Sequence, residues 1–304
     1  MSREGQRRLP VLQVDAFTRE PLQGNPCAVV LDADDLDPSI MQAIALEMNL
    51  SETAFVMRSA VADFRARYFT PAAEIPLAGH PTLATTRALI DTGRLVLEEG
   101  GTRLTLELRD GPITVDVRGV DDLAEITMTQ RRPVFLRSYA AAEILPLFGL
   151  DEEDGHQDAP PPQTVSTGTP MLMVPLRDGD ALRRARLDMA AFAAALEEGD
   201  FFSPHLFCLG GFTDAGDTAA RHFGLPPDTY EDPFTGSATG AMAAYCWCHG
   251  LIEKPRFTAQ QGHTMGRPGT ANVEVIGPAE DIESVRVGGA AVTVLTGVLT
   301  LPVG

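Results

Sequence analysis

The sequence predicts an α/β protein of the α+β type, built from two similar halves that each wrap a mostly antiparallel sheet around one buried helix. Two observations predict this fold. Short motifs recur in the same order in both halves of the chain. Each half also contains a helical segment dominated by Ala, Thr, Leu and Met, and a helix that is apolar on all sides must be buried. A chain of 304 residues is long enough for two domains of ordinary size.

The first half opens with two strand patterns, a wide loop and one helix. The strands are "VLQVDAF" and "CAVVL", and the loop between them contains Gly, Asn and Pro. The helix is predicted to begin after Asp37, a suitable N-cap that precedes Pro38. It is expected to end near Asn49. Its predicted apolar face carries Ile40, Ile44 and Met48.

Further strands complete the first half. "SETAFVM" and "ADFRARYFT" are strand patterns, and "RLTLELRD" and "PITVDVRG" predict a hairpin that turns at Asp110 and Gly111. We place the domain boundary after this hairpin. The first domain is then 1–120, with the C-terminal segment 286–304 as a candidate for completing it, and the second domain is 121–285.

Four short motifs of the first half return in the second half in the same order. The pairs are Gly24 with Gly168, Arg67 with Arg221, Gly79 with Gly236, and Glu98 with Gln260. The separations grow slowly, through 144, 154, 157 and 162 residues. A preserved order with a drifting offset is typical of a duplicated fold with loop insertions. We therefore predict that the two halves share one topology.

Both predicted central helices begin at a Gly followed by a side chain that can hydrogen-bond. These starts are Gly79-His80 and Gly236-Ser237. A helix N-terminus presents unpaired backbone N–H groups and a partial positive charge. Two such ends aimed into one cleft would hold a carboxylate and stabilise an enolate-like charge. The alternative is that the glycines only permit tight turns.

Three side chains near these segments are candidates for acid–base chemistry. Glu52 stands between a helix end and an apolar strand, where partial desolvation raises the pKa of a carboxyl and suits a group that takes and returns a proton. Asp232 lies in the loop before Ser237, and His80 could share a proton with a carboxylate. The alternatives are a solvated strand-edge acid for Glu52, an Asx turn or helix cap for Asp232, and a structural role for His80.

Charge and composition exclude several classes of partner. Apolar residues are 44% and charged residues 22% of the chain, as in a folded, soluble globular protein. The net charge of −18 argues against nucleic acid and against anionic membrane surfaces as partners, because both need basic patches. No secretion signal or membrane-spanning apolar run is seen. A cytoplasmic location is therefore expected.

No motif supports a cofactor or a metal. The histidines lack ligand spacing, and neither a G-x-G-x-x-G motif after a strand nor a Walker sequence occurs. The four cysteines are too sparse for a disulfide framework. Cys246 and Cys248, two apart in a helical stretch, point in different directions and are expected to be buried core thiols and not a metal site. "GSATG" lacks the strand–turn–helix frame of a nucleophile elbow, which argues against a hydrolase. A hydrolase nevertheless stays an open alternative.

Five sequence blocks together resemble the PhzF-like phenazine-biosynthesis family. They are "QGNPCAVVLDADDL", "EMNLSETAFV", "YFTPAAEIPLAGHPT", "EDPFTGSATG" and "QGHTMGRPG". They occur in order and the resemblance spans the chain from about Val11 to Val298. The resemblance implies a diaminopimelate-epimerase-like fold of two pseudo-symmetric domains, each a mostly antiparallel β-barrel wrapped around a central α-helix.

The resemblance also implies an activity and its residues. The best-known member of the family is a cofactor-independent isomerase of trans-2,3-dihydro-3-hydroxyanthranilate, usually a homodimer. Its catalytic glutamate falls on Glu52, and its supporting residues fall on His80, Asp232 and Ser237. Backbone amides at Gly79 and Gly236 would bind polar groups of the substrate. Asn25, in the "QGNP" block, is a further candidate for substrate binding.

Related epimerases and racemases of this fold use a pair of cysteines at the two helix starts. Here those places hold His80 and Ser237, and none of the four cysteines falls there. A proton shift by one carboxylate, without cofactor or metal, is therefore the predicted chemistry, and a small carboxylate is the predicted substrate. Two alternatives stay open at this point: an amino- or hydroxy-acid epimerase, and a non-catalytic protein that binds small carboxylates.

Overall fold

The computed structural model describes residues 6–120 and 123–302. The chain divides into two compact units. Unit 1 comprises Met1–Ile126 together with Ala290–Gly304, and unit 2 comprises Thr127–Gly289. The predicted start of the second domain falls at residues 121–122, which lie outside the described residues.

Runs of strands are interrupted by a few helices in both units. In chain order they are β1 (Gln6–Ala16), β2 (Asn25–Val30), α1 (Pro38–Met48), β3 (Glu52–Met57), β4 (Phe64–Phe69), β5 (Glu74–Ile75), α2 (Gly79–Asp91), β6 (Thr102–Leu108), β7 (Gly111–Arg118), β8 (Glu125–Gln130), β9 (Val134–Ser138), α3 (Ala141–Ile144), β10 (Gln163–Ser166), β11 (Pro170–Pro175), α4 (Gly179–Arg184), α5 (Met189–Glu198), β12 (Ser203–Leu209), β13 (Thr218–Phe223), β14 (Glu231–Asp232), α6 (Gly236–Cys248), β15 (Arg256–Gln261), β16 (Gly269–Ile276), β17 (Ser284–Gly289) and β18 (Ala291–Pro302).

Unit 1 is a mostly antiparallel sheet that surrounds α2. Strand β1 pairs antiparallel with β18 and with β2. Strand β2 runs parallel to β3, and α1 connects them. Strand β4 is antiparallel to β3 and β5 and parallel to β6, which forms a hairpin with β7. Helix α2 packs against β1, β2, β3 and β18, so the sheet covers the helix.

Unit 2 repeats this topology strand by strand. Strand β11 is antiparallel to β10 and parallel to β12, and helices α4 and α5 lie on the connection. Strand β13 is antiparallel to β12 and β14 and parallel to β15, which pairs antiparallel with β16. Helix α6 packs against β10, β11, β12, β16 and β17. The predicted duplication and the predicted fold class are confirmed.

The two central helices are the cores of their units. Each has 13 residues, beginning at Gly79 in α2 and at Gly236 in α6. The first eleven residues of each helix are all buried. The buried hydroxyls of Thr82 and Thr86 bond back to the helix itself: Thr82 Oγ1 donates to the carbonyl of Ala78 and Thr86 Oγ1 to the carbonyl of Thr82, both at 2.8 Å. Back-bonding of this kind pairs hydroxyls inside a helix that is buried on all sides.

Helix α1 follows its local signals with one exception. The Asp37 carboxylate accepts from the backbone N–H of Ser39 at 2.8 Å, and Asn49 ends the helix in the left-handed conformation. Ile40 is wrong as a core residue, because it is 40% exposed. The buried stripe instead carries Met41, Ile44 and Ala45. Ile40 is four positions before Ile44 and therefore borders this stripe, but it lies in the first turn of the helix, where its side chain stays exposed.

A buried arginine–glutamate pair is duplicated with the fold. Arg67 donates to both carboxylate oxygens of Glu74 at 2.7 and 2.8 Å. Arg221 donates to both oxygens of Glu231 at 2.8 Å. Each pair ties a two-residue strand, β5 or β14, to the longer strand beside it. The second pair is more buried, with side chains 6% and 11% exposed against 17% and 18% in unit 1.

Unit 2 buries two neutral histidines on β12 and β13. Burial lowers the pKa of His205 well below its usual value. Burial also lowers the pKa of His222 to about 4, although Asp232 and Glu231 act to raise it. In the unfolded chain both imidazoles titrate near 6.5. Between pH 6.5 and 4 the unfolded state therefore binds more protons than the folded state.

We expect unit 2 to lose stability as the pH falls from 6.5 to 4. Stability rises with pH wherever the unfolded state binds more protons. The shift of His222 alone corresponds to about 3 kcal/mol across this window. Urea unfolding at pH 7 and pH 4.5 measures the loss, and His222→Gln, which cannot titrate, should lose much less. Equal losses in the two proteins would contradict the assignment.

The helices are short. Among residues 6–120 and 123–302, none has the length and apolar character that crossing a bilayer requires.

Candidate functional site

Three predicted site residues meet in unit 1. Asn25 is the first residue of β2, Glu52 the first residue of β3, and His80 the second residue of α2. Nε2 of His80 lies 3.0 Å from Oε2 of Glu52, and Nδ1 of His80 lies 3.0 Å from Nδ2 of Asn25. The parallel pairing of β2 and β3 brings these strand starts together at the beginning of α2.

The contacts of His80 assign its proton. The amide nitrogen of Asn25 can only donate, so Nδ1 of His80 accepts and the ring proton sits on Nε2. That nitrogen is the one that lies 3.0 Å from Oε2 of Glu52. The His80 side chain is 3% exposed and the Glu52 side chain 16%. A neutral imidazole thus lies beside the Glu52 carboxyl group, and part of that carboxyl group is exposed.

The start of α2 adds backbone donors beside this pair. The N-cap, Ala78, provides no side-chain hydrogen bond to the helix. The first N–H groups of a helix favour an anion when no side chain caps them. Gly79 lies inside the helix, in a right-handed conformation that any residue can adopt. The tight-turn alternative therefore does not explain this glycine.

Asp232 lies at the start of α6 in unit 2. The hydroxyl of Thr235 donates to Oδ2 of Asp232. The side-chain amide of Gln261 donates to the backbone carbonyl of Asp232 at 2.7 Å, and its oxygen accepts from the backbone N–H of Thr235 at 3.1 Å. Gln261 was missed as a site residue. The available signal was its place in the "QGH" block, where an amide can donate and accept at once.

Gly236 and Ser237 are the first two residues of α6 and both are buried. The amide of Gln130 donates to the carbonyl of Gly236 at 2.8 Å. The hydroxyl of Thr167 in turn donates to Oε1 of Gln130 at 2.6 Å. Like α2, helix α6 receives no side-chain cap from its N-cap residue. Gln130 therefore fixes the first turn of α6, whose leading N–H groups receive no cap from the side chain of the N-cap residue, Thr235.

Gly240→Ala should destabilise unit 2 through this glutamine. A Cβ at Gly240 would lie 2.0 Å from Oε1 of Gln130. Gln130 is buried and bonded at both ends of its amide, so it cannot yield without losing hydrogen bonds. We expect a loss of about 2 kcal/mol in the free energy of unfolding. Thermal unfolding measures the loss, and Ala243→Ser in the same helix is the control. Gly250→Ala is not used as a control, because Gly250 has a positive φ.

The structure brings together Asn25, Glu52, Gly79 and His80 in unit 1. It places Asp232, Gly236 and Ser237 around the first turn of α6 in unit 2. The roles of these residues, and the expectation that both helix starts bind one substrate, stay predictions.

The cysteines take no thiolate role at these helix starts. Cys246 is buried as expected, while Cys248 is only half-buried; Cys27 and Cys208 are buried as well. Cys27 pairs with Glu52 across β2 and β3. Burial raises the pKa of the Cys27 thiol, and the neighbouring Glu52 carboxylate raises it further. A neutral thiol beside the carboxylate supports Glu52, and not Cys27, as the proton-accepting group.

Comparison with known proteins identifies the family. The sequence model of the family described as phenazine biosynthesis-like protein (PhzC-PhzF) matches residues 14–297. The chain belongs to this family.

Relatives of the PhzC-PhzF family share most of the chain. An uncharacterized isomerase, YfhB, from Bacillus subtilis is 35% identical over 268 residues, which are 87% of this chain and 90% of that protein. The trans-2,3-dihydro-3-hydroxyanthranilate isomerase of Pseudomonas fluorescens is 34% identical over 296 residues, 95% of this chain and 98% of that protein. A PhzF-family phenazine biosynthesis protein of Bacillus anthracis superposes with a TM-score of 0.85 at 32% identity, covering 96% and 99% of the two chains. The chain is an isomerase of the PhzF family.

Proposed function

We propose that this protein is a cofactor-independent isomerase that moves a proton within a small unsaturated or amino carboxylic acid. Glu52 removes a proton from carbon next to the conjugated acid and returns it elsewhere on the same system. The observation that carries the proposal is the chain from Asn25 through His80 to Glu52. This chain of contacts sets the partly exposed Glu52 carboxyl group beside a neutral imidazole.

The chemistry of the pair supports reversible proton transfer. The His80 N–H is proposed to stabilise the Glu52 carboxylate before Glu52 accepts a proton. The same contact stabilises the carboxylate again once the proton has been returned to carbon. General acid–base catalysis by a positioned carboxyl typically accelerates a reaction by about 10²–10⁴-fold. The start of α2 supplies donors for the negative charge that develops when a proton leaves carbon.

We assign substrate-binding roles to the other predicted residues. Backbone amides at Gly79 and at Gly236 are proposed to bind carboxylate or enolate oxygens, which their positions in the first turns of α2 and α6 support. Asp232 is proposed to orient an amino group or to relay a proton, and Ser237 to donate to the substrate. Trans-2,3-dihydro-3-hydroxyanthranilate, the substrate that the Pseudomonas fluorescens relative's name gives, is the first compound to test.

A solvent-exchange screen tests the function. The protein is incubated in heavy water with a panel of small unsaturated, hydroxy and amino carboxylic acids, and each compound is examined by mass spectrometry and proton NMR. We expect deuterium uptake together with a shifted double bond in at least one compound. Inversion of a stereocentre without a double-bond shift would replace the proposal by an epimerase. Tight binding with no exchange would replace it by a non-catalytic binding protein.

A further inference from the structure

A buried polar line runs through unit 2 outside the residues assigned above. Ser203 begins β12, His205 lies two residues further on, and His222 lies on the neighbouring strand β13. Oγ of Ser203 is 2.8 Å from Nε2 of His222. The Nδ1 atoms of His205 and His222 are 3.3 Å apart. All three residues are buried, and we call them the Ser203–His222–His205 line.

The contacts of the line fix where its protons sit. The hydroxyl of Ser203 donates to Sδ of Met171 at 3.2 Å, so its oxygen accepts from the Nε2–H of His222. Nδ1 of His222 then carries no proton and accepts from the Nδ1–H of His205. Each contact holds one proton and both imidazoles are neutral. Nε2 of His205 remains a buried acceptor without a hydrogen-bond partner within the described residues.

The line ends beside Asp232. His222 stands directly opposite Asp232 in the antiparallel ladder of β13 and β14, and directly opposed residues project to the same face of a sheet. Both nitrogens of His222 are committed to β12, so His222 offers Asp232 no N–H. The ionisable groups acting on His222 are His205 from β12 and Asp232 and Glu231 from β14. The two acids favour a charged imidazole, and burial outweighs them.

Unit 1 shows that the fold does not require this arrangement. The equivalent ladder of β4 and β5 places Tyr68 opposite Ile75, and the hydroxyl of Tyr68 lies 3.0 Å from Oγ1 of Thr82. The arginine–glutamate pair that ties the short strand is nevertheless present in both units. Only in unit 2 does this ladder position carry an acid, Asp232, and there the residue opposite it is the buried, neutral His222.

We propose that His222, buried and hydrogen-bonded in its neutral form by His205 and Ser203, is a positioning residue that presents no cation to Asp232 from the neighbouring strand. An imidazolium at this place would stabilise the Asp232 carboxylate and compete with an amino group or a proton of the ligand. With His222 neutral, the Asp232 carboxylate keeps its affinity for those groups. The proposal rests on the proposed role of Asp232 in substrate binding. It adds a role for Ser203, His205 and His222, which have none in the proposed function.

The tautomers are tested in the wild-type protein. Two-bond ¹H–¹⁵N correlation spectra of the full chain labelled at histidine are recorded from pH 5.5 to 8. We expect His222 as the Nε2–H tautomer and His205 as the Nδ1–H tautomer throughout. An Nδ1–H tautomer or a doubly protonated ring for His222 at pH 7 would overturn the proposal, and no variant is needed to see it.

The coupling to Asp232 is tested with two variants of His205. His205→Leu removes the donor to His222, whereas the side-chain nitrogen of His205→Asn replaces Nδ1–H. The titration of Asp232 is followed by ¹³C NMR of its carboxyl group. In His205→Leu we expect the pKa of His222 to rise, because its donor on β12 is gone while the two acids of β14 still act on it, and we expect the Asp232 carboxyl signal to change with the charge on His222. His205→Asn should resemble the wild type.

Each outcome decides one proposal separately. An unchanged Asp232 carboxyl signal in folded His205→Leu would refute the positioning role, and so would a change of equal size in His205→Asn. If His205→Leu does not fold, the wild-type tautomers decide the proposal alone. If no carboxylic acid exchanges protons, the proposed function fails while these NMR results still stand. Where exchange is found, the acid limb of its pH–rate profile should move in His205→Leu and be restored in His205→Asn.

Discussion

Glu52→Gln is expected to lower kcat/KM for the exchanging substrate by about a thousandfold. Glutamine has the size of glutamate and its oxygen can still accept from Nε2 of His80, which lies 3.0 Å from the glutamate oxygen. The substitution therefore preserves packing and removes only the ability to accept a proton. A loss confined to kcat, with KM little changed, would mark a role in the proton-transfer step.

The measurement is deuterium uptake under single-turnover conditions for wild type and variant. Glu47→Gln makes the same chemical change on the exposed side of α1 and should retain full activity. Glu52→Asp shortens the side chain by one methylene and should keep a small part of the activity, because the carboxylate survives out of position. If Glu52→Gln exchanges protons at more than about a tenth of the wild-type rate, another group is the base.

Arg221→Met should reduce the free energy of unfolding by about 3–5 kcal/mol. The side chains of Arg221 and Glu231 are 6% and 11% exposed, so removal of the cation leaves a buried carboxylate without its bidentate partner. Arg221 also donates to the backbone carbonyls of Leu182 and Ala185 at 3.0 and 2.8 Å. Those acceptors lose their donor in the same variant.

Arg67→Met is the matched comparison from unit 1. Its pair with Glu74 has the same bidentate geometry, but the side chains are 17% and 18% exposed. Water can then solvate the remaining carboxylate, and the expected loss is smaller. Urea unfolding at pH 7 measures both variants. Equal losses would show that burial does not govern the strength of these pairs. A loss below about 1 kcal/mol in Arg221→Met would contradict the expected loss in its free energy of unfolding.

Locally encoded features were predictable from the sequence. The limits of α1 follow from Asp37, Pro38 and Asn49, which act on the nearest backbone groups. The hairpin of β6 and β7 turns where expected, with Gly111 at a positive φ. The duplication was also visible, because the two central helices retain similar composition and the same start. Ile40 failed, because a repeat at helical spacing does not state whether the first turn of the helix is covered.

Long-range partners were not predictable in the same way. Asn25 and His80 are 55 residues apart, and only the packing of α2 against β2 brings their side chains together. Gln130 reaches the start of α6 from another strand, and nothing in its neighbouring residues indicates it, whereas Gln261 had only its place in the "QGH" block as a signal. The pairing of Ser203 with His222 depends on strand register, and a shift by one residue would turn the histidine to the other face. The candidate residues of unit 1 were found through family resemblance, whereas their contacts needed the fold.

The antiparallel pairing of β1 with β18 has a consequence for biosynthesis. Strand β18 follows unit 2 in the sequence, so it is translated only after all of Thr127–Gly289. Unit 2 is continuous in sequence, so it can fold as it leaves the ribosome. Unit 1 must wait with one flank of β1 unfilled, and during that interval nascent chains on one polysome expose an unpaired edge to each other.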